Sequence, residues 1–67
     1  MIACYDVKFE KIVYVNPKCV VAMLTDDDDK GNMIVELLTK PWVITIREDS
    51  RECRAIKDYF RKELQQC

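Results

Sequence analysis

Three apolar stretches without a polar face constrain this chain more than anything else in it. Residues 20–24, 33–38 and 42–46 carry large side chains at both odd and even positions. An antiparallel sheet with one face in water alternates apolar and polar residues, so both faces of this one need cover. The pattern provides only one helix, which can cover only one face. A second copy of the chain, or a partner protein, is the expected cover for the other.

The 67 residues leave room for one small domain spanning 1–67. A domain this short buries only about 60% of the surface its unfolded chain exposes, and such scaffolds usually add disulfides, a metal or oligomerisation. Eleven Lys and Arg stand against twelve Asp and Glu, a net charge of −1. That balance removes the simple electrostatic case for a nucleic-acid binder. No apolar run approaches the roughly 18 residues of a membrane span. The first residues lack a basic region followed by an apolar stretch, so no secretory leader is expected and a cytoplasmic setting is the default.

Cys4, Cys19, Cys53 and Cys67 are separated by 15, 34 and 14 residues, and the chain has no histidine. Structural zinc sites gather their ligands in close pairs, and disulfides are rare in a reducing compartment. Free thiols are therefore expected, with Cys53 on the buried side of a helix. No cofactor is implied.

Along the chain, residues 5–10 alternate apolar and charged side chains like a half-buried strand. Residues 12–15 are apolar on both faces, and the slip in alternation at Lys11 predicts a bulge or tight turn near Glu10. Asn16-Pro17 is a turn signal. A strand over 19–25, the polar turn 26–32, a strand over 33–39, the Lys40-Pro41 connection and a last strand over 42–48 follow. Gly31 or Asn32 is expected at a positive φ in the polar turn. In the last strand Trp42, Ile44 and Ile46 share one face, and Val43, Thr45 and Arg47 the other.

Asp49 with Glu52, or Ser50 alone, can cap a helix that begins there. Cys53, Ile56, Phe60 and Leu64, with Tyr59 beside them, form its apolar stripe. A helix of about 17 residues is roughly 25 Å long, enough for one sheet face. The expected fold is α+β: an antiparallel meander of four or five strands with one C-terminal helix packed on one face.

Candidate sites are few. The aspartates at 26–29 suggest calcium, but a twelve-residue calcium loop starting at Asp26 would put Lys30 at its fifth position and Leu37 at its last, where oxygen ligands are needed. A solvated acidic turn that discourages edge-to-edge aggregation fits better, with a loose divalent-cation loop as the alternative. No metal ligand set is assigned. Arg51, Arg54 and Arg61 line up with Asp58 on one helical stripe, a possible phosphate or nucleic-acid contact. The same stripe suits an ordinary solvated face on which Arg54 and Lys62 can each pair with Asp58. Trp42 could anchor a partner, as tryptophans do at interface hot spots, or pack in the core against Ile56 and Phe60. Tyr5 and Tyr14 carry the same ambiguity. With no histidine, no phosphate-binding glycine loop and no nucleophile elbow, catalytic residues are not expected.

The order Tyr14-Val15-Asn16-Pro17, strand, hairpin, Val43-Ile44-Thr45-Ile46, then Glu48-Asp49-Ser50 opening a helix resembles the small flagellar FlbD-like family and many short phage proteins. The likeness covers about 50 residues, and the Asn16-Pro17 turn is its distinctive piece. The family's short Asn-Gly hairpin has no counterpart here, and the long acidic turn is an addition. The resemblance implies a β-meander plus helix without catalytic residues, and it assigns no binding site.

The expectation is a protein-interaction module, an accessory or inhibitor protein of phage or mobile-element type. It would bind through Ile34, Leu38, Trp42 and Val43 and associate as a two-fold dimer. A small nucleic-acid binder using Arg51, Arg54 and Arg61 is the alternative, and no membrane association is expected.

Overall fold

A computed structural model describes residues 1–65, with helix side chains as far as Glu63. The expected stripe position Leu64 and the terminal Cys67 fall outside what is described. Strands β1 (Ile2–Asp6) and β2 (Lys11–Val15) form an antiparallel hairpin. A single turn of 3-10 helix (Pro17–Cys19) leads into β3 (Val20–Thr25), β4 (Asn32–Leu37) and β5 (Val43–Arg47), an antiparallel sheet in meander order. Helix α1 (Arg51–Gln65) follows. The α+β meander with a C-terminal helix is thus the observed architecture, divided into two sheets of two and three strands. One backbone bond joins them, from Val7 N to Thr45 O at 2.9 Å.

The first strand ends earlier than its sequence pattern suggests. Asp6 is buried, and its Oδ1 accepts from the amides of Lys8 (3.0 Å) and Phe9 (3.3 Å). This short side chain offers the backbone a turn in place of a ladder. Residues 7–10 therefore reverse the chain, and Glu10 takes the left-handed conformation at φ 54°. The turn expected near Glu10 is present, whereas Phe9 is exposed rather than part of a strand.

At Asn16 the side-chain oxygen accepts from Lys18 N at 3.0 Å, with Pro17 occupying the first position of the turn. The polar turn 26–32 is built differently from expectation, because Gly31 has no positive φ. Asp26 Oδ1 accepts from Asp28 N and Asp29 Oδ1 from Gly31 N, both at 3.0 Å. These two aspartate-capped turns reverse the chain without a left-handed residue.

Cross-strand register explains the core. Val35 faces Ile44 and Met33 faces Ile46; all four are buried together with Leu37, Val20, Cys4 and Val15. Helix α1 lies over β1 and β5 and adds Cys53 and Ile56 to this cluster, with Phe60 packed at its margin. The second face carries Ala22, Leu24, Ile34, Glu36, Val43 and Thr45. It is partly closed by the chain itself, since Thr45 is buried and Ile34 half-buried. No helix among the described residues is long and apolar enough to cross a membrane.

The helix start follows Ser50, whose Oγ accepts from Cys53 N at 3.2 Å and donates to Arg47 O at 2.6 Å. Glu52 does not complete a capping box with Asp49. Its Oε2 accepts from Tyr5 N at 2.8 Å, so the helix closes the free edge of β1.

Candidate apolar groove

The turn after β1 and the connection before β5 end up side by side. Phe9, Lys11, Ile12 and Val13 from the first hairpin meet Lys40, Pro41, Trp42 and Val43 across an open groove of about 850 Å³. Phe9 is 71% exposed, Ile12 60% and Trp42 57%. Large apolar side chains exposed singly are ordinary, whereas a contiguous patch of them marks an interaction surface. The Lys40–Pro41 peptide bond is cis, and Leu37 N donates to Trp42 O at 2.7 Å. Lys11 Nζ lies 5.6 Å from the centre of the Phe9 ring. Both charged side chains lining the groove are lysines.

Of the residues expected to bind a partner, Trp42 and Val43 line this groove. Trp42 is not packed in the core on Ile56 and Phe60, because it lies before β5 in the turn 38–42. Ile34 and Leu38 lie elsewhere. Ile34 is half-buried on the second face opposite Leu24 and Thr45, and Leu38 is exposed just beyond β4. Sequence reasoning missed Phe9 and Ile12. The signal was Asp6, a strong turn former two and three residues ahead of Lys8 and Phe9. Tyr5 and Tyr14 are both exposed, on the opposite face of the hairpin from Cys4 and Val15.

The helix arginines present a diluted positive surface. Arg51, Arg54 and Arg61 are exposed, and Arg61 pairs with Asp58 at 3.4 Å. Asp58 thus takes Arg61 as its ion-pair partner in place of the expected Arg54 or Lys62. An exposed pair of this kind contributes little to stability.

The described residues bring no three Cys, Asp or Glu side chains together as a metal cage. Asp26 is buried beside Lys8, whose Nζ is 4.0 Å from its Oδ2. Asn32 is buried too, and its Oδ1 has no hydrogen-bond partner among the described residues. Cys4 and Cys53 are fully buried free thiols. Burial pushes the Cys4 thiol up to about 11, with Glu52 and Cys53 adding to the effect. Burial also raises Cys53; Lys57 opposes this, and Glu48 and Glu52 reinforce it. A thiol held protonated is a poor nucleophile, so the position of Cys53 in the first helical turn does not activate it.

Comparison with protein-family models, with curated proteins and with solved structures finds no match.

Proposed function

We propose that this protein is a non-enzymatic interaction module that binds a segment of another protein in the groove between Phe9, Ile12, Trp42 and Val43, as a small accessory or inhibitor protein would. The observation that carries this reading is the exposure of Phe9, Ile12 and Trp42 around a single open groove. Burying a tryptophan, a phenylalanine and two aliphatic side chains supplies the apolar anchors on which interface affinity concentrates. Keeping them exposed in so small a domain costs solubility and gains nothing for the core. Against catalysis stand the absence of histidine and the raised affinity of the buried Cys4 and Cys53 thiols for their protons.

Selection of displayed random peptides on the immobilised protein tests this reading. Peptides that bind the wild type and lose at least about tenfold affinity for Trp42→Ser, equivalent to about 1.4 kcal/mol, are the expected result. Failure to enrich any peptide, or equal binding to Trp42→Ser, would overturn it. Gel retardation at low salt addresses the alternative: no shift of DNA or RNA is expected. A shift that weakens steeply with salt and disappears on neutralising Arg51, Arg54 and Arg61 would replace the present reading with a nucleic-acid one.

A further inference from the structure

Strand β3 has the composition of a central strand and the position of an edge strand. In the three-stranded sheet β4 pairs on both sides, while β3 pairs only with β4. Its sequence, Val-Val-Ala-Met-Leu-Thr, contains no charge and no proline, the two devices that most often blunt an exposed edge. Side chains on both its faces are apolar. Val21 is 60% exposed and, with Ala22 and Met23, borders an open apolar groove toward Met33, Lys57 and Phe60 of β4 and α1. Leu24 is 48% exposed on the other face.

The flanks of β3 are charged, and oppositely so. Lys18 lies in the turn before it, and Asp27, Asp28 and Asp29 lie in the turn after it; all four are exposed. In an antiparallel pair of identical strands about a two-fold axis, each strand's beginning meets the other's end. The basic entry of one copy then lies against the acidic exit of the other, twice per pair. The register irregularity between Val20 and Ala22 leaves Ala22–Thr25 as the regular part of the strand. With the axis passing beside Met23, Met23 faces Met23 of the other copy and Ala22 faces Leu24, so that opposed side chains share a face of the sheet. Lys18 then comes alongside the acidic turn. A parallel pairing, or an uncharged partner strand, would leave this polarity unused.

We infer that β3 pairs with β3 of a second copy of this chain, antiparallel about a two-fold axis, joining two three-stranded sheets into one of six strands. The groove at Phe9 and Trp42 lies on other elements and stays open in such a dimer. The proposal is therefore independent of the function proposed above.

Light scattering behind a sizing column, with reductant present, tests it on the full chain. The expected mass is twice the 7.9 kDa of one chain. Leu24→Lys should shift the population to monomer with its circular dichroism unchanged. Lys18→Asp and Asp27→Lys should each weaken the dimer, and the two together should restore it, because the pair of charges is exchanged. The charge exchange also decides the matter should Leu24→Lys fail to fold. A monomeric wild type would overturn the proposal. So would a dimer indifferent to all of these substitutions, which would place the contact elsewhere.

Discussion

Asp6 and Cys4 illustrate how single buried groups set the shape and pH response of so small a domain. Asp6 Oδ1 accepts two backbone amides of the turn it initiates, and the carboxylate is inaccessible to solvent. Asp6→Ala removes the acceptor and strands both donors, a loss of about 1–3 kcal/mol. Asp6→Asn keeps an acceptor and should lose less. Thermal melts order the three proteins, and an alanine variant as stable as wild type would contradict the role given to Asp6. Cys4 acts through protonation. Its unfolded thiol ionises near 9, and burial pushes the folded one up to about 11. Between those values the unfolded chain binds fewer protons than the folded one. The contribution is therefore complete below pH 9 and is lost as pH rises through that window. Melting temperature against pH should fall more steeply for wild type than for Cys4→Ala above pH 9. Equal slopes would show that Cys4 does not titrate as described.

At the scale of elements, the free edge of β1 is closed by two unlike groups, the Thr45 carbonyl at Val7 N and the Glu52 carboxylate at Tyr5 N. Glu52 thereby ties the first turn of α1 to the first strand, a pairing of residues 47 positions apart. Glu52→Ala should lower stability by about 1 kcal/mol, and Glu52→Gln should recover most of it. If chemical denaturation finds the alanine variant unchanged, the edge is held by the Val7–Thr45 bond alone. The helix itself was legible in the sequence because Cys53, Ile56 and Phe60 repeat at helical spacing behind a serine cap. The first strand was misplaced because Asp6-Val7-Lys8-Phe9-Glu10 alternates as a strand does. Alternation records only which residues are apolar, and local capture of two amides by Asp6 outweighs it. The acidic turn was legible as a turn. Its conformation was not, because two aspartate side chains supply the reversal that glycine was expected to provide.

For the whole molecule, the core accounts for one apolar set and leaves another outside. Met33, Val35, Ile44, Ile46, Cys53 and Ile56 are enclosed between sheet and helix, while Phe9, Ile12, Trp42 and the outer edge of β3 face solvent. The sequence carried the surplus of apolar side chains, because three strands are greasy on both faces. Where the surplus lies depends on the Val7–Thr45 junction, which sets the first hairpin against β5 and brings residues 9–13 beside 40–43. No local pattern encodes that junction, so Ile34 and Leu38 were grouped with Trp42 and Val43 although they do not line the groove. Trp42 is a solvent-facing anchor and not a core residue. As the only tryptophan in the chain, it can be read directly by fluorescence and acrylamide quenching of the isolated protein in dilute solution. Emission close to that of an indole in water, and ready quenching, are the expected result. Blue-shifted emission shielded from acrylamide, at a concentration where light scattering gives the mass of one chain, would contradict it.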